Sequence, residues 1–417
     1  MPRPARPAIG IRMLYQAFQS YADLAEPLKA AARIGVSALG SPWGTLADTT
    51  FGRNLSASYQ LVARIGLTHE RPSYQIDEVT VGNERVPVIE EAALVQPFGT
   101  LLHFRKEVAA PQPRVLVVAP LSGHFATLLR STVRTLLADH DVYITDWTNA
   151  RDVPLSDGAF GFDDYVAYLI DFLRHLGPGT HVVAVCQPCV QSLAAAALMA
   201  EDDDPAQPRS LTLMAGPIDT RINPTKVNEL AKGKPIEWFE RNLIARVPWR
   251  YKGAMRRVYP GFLQLSAFVS MNFDRHVKAH QDMHKALAAG DTAAAATTKA
   301  FYDEYFAVLD LAAEFYLETV RLVFQEHALP KGELSWRGRR IDPAAIRRSA
   351  LFTVEGERDD ICAVGQTLAA HDLSTGLRPY RKRHHLQAGV GHYGVFSGRK
   401  WEGQIYPQLR NMILASE

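Results

Sequence analysis

The stretch that decides the fold is His181–Ala200, HVVAVCQPCVQSLAAAALMA. It places an apolar run of strand type directly before a helix of small residues, with Cys186-Gln-Pro-Cys189 at the joint. Three chemistries use cysteines at such a place. A redox pair at a helix start lowers the first thiol's pKa, and a proline between the cysteines suits it. That fold is small, however, and carries its motif near its N-terminus, whereas here several strand-like runs come first. A structural zinc site needs about four ligands, usually as two pairs. The only further cysteine is Cys362, and His276, His280 and His284 recur every four residues on what reads as an exposed helix, far from the cysteines. No metal is expected.

The third reading is a nucleophile elbow, a sharp turn between strand and helix that presents one side chain. Its usual form is G-x-S-x-G, and here the chain has Ala184-Val185-Cys186-Gln187-Pro188. Ala184 supplies the small residue before the turn. Pro188 is tolerated after it, because a proline in the first helical turn lacks only an N–H that the helix does not use. Cys186 at the helix N-terminus feels the positive end of the dipole, which favours thiolate. Cys189 falls inside the helix and reads as a packed structural thiol.

Outward from the elbow the pattern repeats. RVLVVAP, DVYITDW, HVVAV and SLTLMAG are short apolar runs, and helical segments such as FDDYVAYLIDFLRHL separate them. Strands that each hand over to a helix predict a mostly parallel sheet covered on both faces. Upstream, YQIDEVTV and VPVIEE flank Gly82-Asn83 as a hairpin, and GTLLHFRK reads as a further strand. Beyond Pro217 the alternation stops, and residues 220–335 read as helical and rich in aromatics. It resumes with SALFTVEG, a helix over AVGQTLAAHDL, the strand RKRHHLQAG and a last helix from about Lys400. The division expected is an N-terminal helical region (1–72), a first core segment (73–219), an inserted helical cap (220–338) and a second core segment (339–417). In the N-terminal region Leu14, Phe18, Tyr21, Ala25 and Leu28 recur at helical spacing, either docked on the body or facing an apolar surface.

An elbow nucleophile in such a sheet is followed in the chain by an acid and then a histidine. ALFTVEGERDDIC offers Asp359, with Asp360 and Asp219 as rivals; Asp359 also suits a helix N-cap. HHLQAGVGHYGVFSG offers His392, bracketed by Gly391 and Gly394. His384 and His385 lie within a strand, and His124 precedes the nucleophile. Oxyanion donors are expected from the backbone N–H of Gln187 and of Ser122, in the turn after VLVVAP. Asp146 and Trp147, at the end of a strand, are expected to contact substrate. The cap residues Trp238, Phe239, Trp249, Tyr251, Tyr259 and Phe262 either line an apolar channel or form the cap's own core.

The chain has 417 residues, 47% hydrophobic and 22% charged, with a net charge of +2. That balance gives no nucleic-acid footprint. Three cysteines suit a reducing compartment. The basic N-terminus has no continuous apolar segment, so no signal peptide is expected, and no apolar run is long enough for a membrane span.

VCQPCVQ, EGERDDIC and GVGHYGVFSG resemble the nucleophile, acid and histidine segments of the intracellular polyhydroxyalkanoate depolymerases, specifically those for poly(3-hydroxybutyrate). The resemblance runs over most of the chain. VYITDWTNARDVP and FGFDDYVAYLIDFL are also similar to the related polyester synthases, but Pro188 stands where the synthases carry glycine. The resemblance implies an α/β-hydrolase fold and a cysteine nucleophile, with Cys186, Asp359 and His392 in the roles given above. It further implies hydrolysis of polyester granules in the cytoplasm without a cofactor. The granule surface is the expected partner, with coenzyme A as an alternative acyl acceptor. A synthase-like acyltransferase and a noncatalytic granule-surface protein remain as alternatives.

Overall fold

The structure is a computed structural model that describes residues 9–39, 49–63, 67–271 and 273–417. An eight-stranded sheet organises it. In chain order its strands are β1 (Ile89–Gln96), β2 (Gly99–Arg105), β3 (Arg114–Val118), β4 (Asp141–Trp147), β5 (His181–Val185), β6 (Ser210–Met214), β7 (Ala350–Gly356) and β8 (Lys382–Gln387). Their spatial order is β8-β7-β6-β5-β3-β4-β2-β1. β1 and β2 pair antiparallel, β2 meets β4 antiparallel, and all other pairs are parallel. This is the α/β-hydrolase arrangement that the alternating apolar runs predict.

Residues of β5, β6 and β7 are buried throughout, as befits parallel strands covered on both faces. Parallel crossovers are right-handed, so the direction of travel across the sheet fixes the face on which each helix lies. The connection from β3 to β4 runs one way and carries α1 (Arg130–Leu136). The connections from β4 to β5 and from β5 to β6 run the other way and carry α2 (Phe162–Leu176) and α3 (Cys189–Glu201) on the opposite face. The C-terminal helix joins α1, with Trp401 Nε1 donating to Thr135 Oγ1 at 3.1 Å. The chain therefore reverses direction between β3 and β5. In sheets of this kind the crevice outside the strands' C-terminal ends at that point is where ligands bind.

Residues 245–312 also contain a small antiparallel sheet of Ala245–Arg246, Arg257–Tyr259 and Leu311–Ala312, which the helical reading of this segment does not anticipate. Strands of two or three residues are too short to leave a periodic pattern. A second difference falls after β7. The helix expected over AVGQTLAAHDL is mostly turns, with helix only at Ala370–Leu373. The buried Glu355 carboxylate explains this. It accepts from the N–H groups of Gly365 (2.9 Å), Thr367 (2.7 Å) and Leu368 (2.9 Å), a convergent nest that a regular helix cannot form. Gly365 takes φ +97° to close it.

Among its described side chains, the N-terminal helix Ile9–Leu39 docks through Tyr15 and Phe18. Tyr15 is buried, meets Phe262 edge-on at 5.7 Å and donates its hydroxyl to the buried Asp310 carboxylate. Phe18 stacks on Phe262 at 4.2 Å, while Leu28 is 64% exposed. The side chains of Leu14, Tyr21 and Ala25 lie outside the described residues. Burial opposes charge on Asp310, but His69, Tyr15 and the Gly261 N–H hold its pKa below the usual carboxylate range. Tyr15→Phe removes one donor from a carboxylate that water does not reach. The expected result is a loss of about 1–3 kcal/mol in urea denaturation and faster hydrogen exchange along Ile9–Leu39.

Candidate active site

The joint between β5 and α3 is a left-handed turn. Cys186 has φ +68°, a conformation that non-glycine residues rarely adopt and that other contacts must hold in place. Two backbone bonds do so. The Cys186 N–H donates to Met214 O at 2.7 Å, and the Cys186 carbonyl accepts from the Cys189 N–H at 3.1 Å. Packing does the rest. A Cβ on Gly216 would fall 2.2 Å from Cys189 Cβ and 2.3 Å from its Sγ, so only glycine lets the end of β6 approach the elbow. The alanines of α3 are buried against the sheet, which keeps this approach close along the whole helix.

The two elbow thiols have different environments. Cys186 is partly exposed and Cys189 is buried. The Cys189 thiol donates to Ala184 O (3.4 Å), with Met214 O at 3.7 Å, and burial pushes its pKa well above the ordinary thiol range. Cys362, also buried, is raised for the same first reason.

Asp359 follows β7 and His392 follows β8, strands that lie side by side. His392 Nδ1–H donates to Asp359 Oδ2 at 2.7 Å, and both side chains are buried. The other Asp359 oxygen accepts from the Ile361 and Cys362 N–H groups at 2.9 Å each. The carboxylate thus caps its own turn and orients the imidazole, combining two roles that the sequence offers as alternatives. Asp360 is exposed, and Asp219 bonds Arg221 instead. Gly394 has a packing reason, since a Cβ there would lie 2.8 Å from Val390 Cβ. Burial disfavours charge on His392, but the Asp359 carboxylate and then the Cys186 sulfur outweigh it and raise its pKa well above the usual imidazole value. The elbow after β5 and the loops after β7 and β8 therefore open at one rim of the sheet, where Asp359 and His392 are bonded to each other.

The turn after β3 lies beside the elbow because β3 pairs with β5. The Leu121 N–H donates to Gln187 Oε1 at 3.3 Å, tying the turn to the residue after Cys186. The N–H groups of Ser122 and Gln187 donate to no other described residue. The inserted segment clamps the same turn. Leu309 N–H donates to Gly123 O at 3.0 Å, His124 bridges to Val308, and the Gln264 side chain fills the space over Gly123, whose φ is +100°.

Asp146 and Trp147 have other partners than a ligand. Trp147 is 2% exposed, and its indole N–H donates to Ala119 O at 2.8 Å, a carbonyl that also accepts from the Tyr165 hydroxyl at 3.0 Å. It buttresses the start of the turn from below. Asp146 pairs with Arg71 at 2.6 Å, and burial pushes its pKa up to about 6 against the pull of that arginine. The six cap aromatics named from the sequence do not gather at Cys186. Phe239 packs with Ala231 and Val320, Tyr259 stacks on Tyr316 at 3.9 Å, and Trp249 is 78% exposed. A different set does reach the site: Tyr305 lies 5.2 Å from the His124 ring, and Phe301 meets Tyr393, the neighbour of His392, edge-on at 6.1 Å. The segment FYDEYF, Phe301–Phe306, has the aromatic density that could have flagged it, but nothing local that gives its destination. His276 and His280 belong to this cluster, with His276 Nδ1 and the Tyr302 hydroxyl 2.9 Å apart.

Fold and site together define an α/β-hydrolase of the carboxylic ester hydrolase class. Residues 215–417 match the family described as PHB de-polymerase C-terminus, a span that includes Asp359 and His392. The matched span is just under half of the chain. Among curated proteins none matches it. Solved structures resemble it distantly. Lip1 of Acinetobacter baumannii AYE shows 14% identity and a TM-score of 0.43, over 79% of this chain and 93% of that one. A bacterial membrane phospholipase A shows 14% identity and a TM-score of 0.40, over 97% and 98%. A carboxylesterase of the thaumarchaeon Nitrososphaera gargenis shows 12% identity and a TM-score of 0.40, over 82% and 100%. Among the described residues, no helix is long and apolar enough to cross a membrane.

Two outcomes follow from this geometry. Gly216→Ala drives a methyl group into Cys189 and is expected to destabilise the protein by about 3 kcal/mol or more, read by chemical denaturation. Asp359→Asn removes the charge that favours imidazolium while burial, which opposes it, remains. The His392 pKa therefore falls, as an NMR titration of labelled histidine would measure.

Proposed function

We propose that Cys186 is the nucleophile of a Cys-His-Asp triad that hydrolyses poly(3-hydroxybutyrate) and related polyesters at the surface of cytoplasmic storage granules. The observation that carries this reading is the partly exposed Cys186 on a left-handed elbow at the same rim of the sheet as an imidazole that Asp359 holds at 2.7 Å. The raised pKa of His392 favours an imidazolium beside thiolate, the form in which sulfur attacks.

In the proposed cycle the Cys186 thiolate adds to an ester carbonyl of the polymer. The oxygen that becomes negative is held by the Gln187 and Ser122 N–H groups, which have no other partner to release first. Collapse expels the alcohol end of the chain, which takes its proton from His392 Nε2, and leaves a thioester on Cys186. Neutral His392 then removes a proton from water, the hydroxide adds to the thioester, and the thiolate leaves. Asp359 keeps the proton on Nδ1 throughout and stabilises the imidazolium of each step. The products are 3-hydroxybutyrate or its short oligomers. Coenzyme A in place of water would give the hydroxyacyl thioester of that thiol.

The test is release of 3-hydroxybutyrate from amorphous polyester granules. Cys186→Ala is expected to abolish it, and Cys189→Ala to retain it at reduced stability. Asp359→Asn should lower turnover by a factor of about a hundred to ten thousand. Activity that survives in Cys186→Ala and disappears in Cys189→Ala would refute the assignment. Product appearing only when coenzyme A is added would identify thiolysis.

A further inference from the structure

Tyr393 follows His392 directly and stands between the imidazole and the inserted segment. Its ring meets His392 edge-on at 5.9 Å (89°), Phe396 at 5.7 Å and Phe301 at 6.1 Å. It packs against both the main core and the aromatic cluster of the insertion. The side chain is thus fixed by contacts on several sides, but its hydroxyl donates to no described residue.

Several other phenols among the described residues do find a partner. Tyr165 donates to Ala119 O, Tyr406 to Asp139 and Tyr251 to Gln19. A largely enclosed phenol normally finds such a partner, because burial of an unpaired hydroxyl is costly. The Tyr393 hydroxyl is also not sealed from solvent, unlike the buried unpartnered Tyr74 hydroxyl. It is therefore placed to meet something that enters. Burial, Tyr305, Cys186 and Asp360 all act to raise its pKa, so the proton stays on and the group serves as a donor. Its ring lies against the edge of His392, the proposed partner of Cys186. Around it the walls are apolar rings, Phe301 and Phe396, which suit a chain of low polarity whose only strong acceptors are ester oxygens.

We propose that the Tyr393 hydroxyl donates a hydrogen bond to an ester oxygen of the acyl chain bound at Cys186, so that the chain lies across the edge of His392 and against Phe301. This rests on the reading of Cys186 as nucleophile. The role is substrate positioning by direct contact and differs from the triad's, since no proton is transferred and no bond is broken at the tyrosine.

The experiment uses the purified full chain and its Tyr393→Phe variant, which keeps the ring and removes only the hydroxyl. For amorphous poly(3-hydroxybutyrate) particles, kcat/KM is expected to fall roughly three- to tenfold, the range for one hydrogen bond between neutral groups. The rate of Cys186 alkylation by iodoacetamide and the melting temperature should remain at wild-type values. Turnover at the wild-type level overturns the proposal. So does a fall in turnover with an equal fall in alkylation rate, which would place the hydroxyl's action on the sulfur. Cys186→Ala is measured in parallel. If it is inactive and Tyr393→Phe is unimpaired, only the tyrosine assignment fails; if Cys186→Ala still hydrolyses the polymer, the nucleophile assignment fails.

Discussion

The close approach of β5 and β6 at their C-terminal ends is the constraint on which the site depends. Gly216 leaves no side chain between the strands, Cys189 fills the space that remains, and the backbone at Cys186 must turn left-handed to enter α3. A turn of this kind is unfavourable by itself, of order 1–3 kcal/mol. It persists because the strands on each side are wholly buried and because the Cys186 N–H is held by Met214. The reactivity proposed at the rim thus rests on packing below it. The second cysteine of the pair belongs to that packing, which explains how two thiols three residues apart come to occupy such different surroundings.

Asp359 is the other point where fold and chemistry share atoms. One oxygen closes the turn after β7, and the other fixes the imidazole that follows β8. Adjacent parallel strands deliver both loops to the same edge, so short connections suffice. The imidazole needs little freedom, and its burial, which would discharge it alone, is offset by the carboxylate and the sulfur. In a water-poor setting such pairs act more strongly than they would at the surface.

The sheet was legible because its strands are short continuous apolar runs between turn residues, a signal carried by each segment alone. The elbow is legible from Ala184, Pro188 and the small residues of α3, and chain order after Cys186 points to Asp359 and His392. What escaped depends on partners distant in sequence. Nothing near Gly216 shows that Cys189 will press against it. Glu355 reads as an ordinary strand residue until three N–H groups converge on its carboxylate and displace the helix expected beyond it. Trp147 sits at a strand's end, as a ligand contact would, but its indole N–H is already satisfied by Ala119 O, just past the end of β3. The aromatics that do approach the site come from Phe301–Phe306, over a hundred residues from the elbow, and periodicity along the helix says only which face they share.

The clamp between the insertion and the turn after β3 bears on how a polymer enters. Leu309 N–H is bonded to Gly123 O, Val308 is bridged to His124, and Gln264 rests on Gly123. A hinged flap that lifted away here would tear these attachments and drag the proposed oxyanion donor with it, disarming the enzyme at the moment of loading. On the proposed reading, these attachments make the roof at this corner part of the site itself, so that the chain to be cut reaches Cys186 from beside Tyr393 and not from under a raised flap.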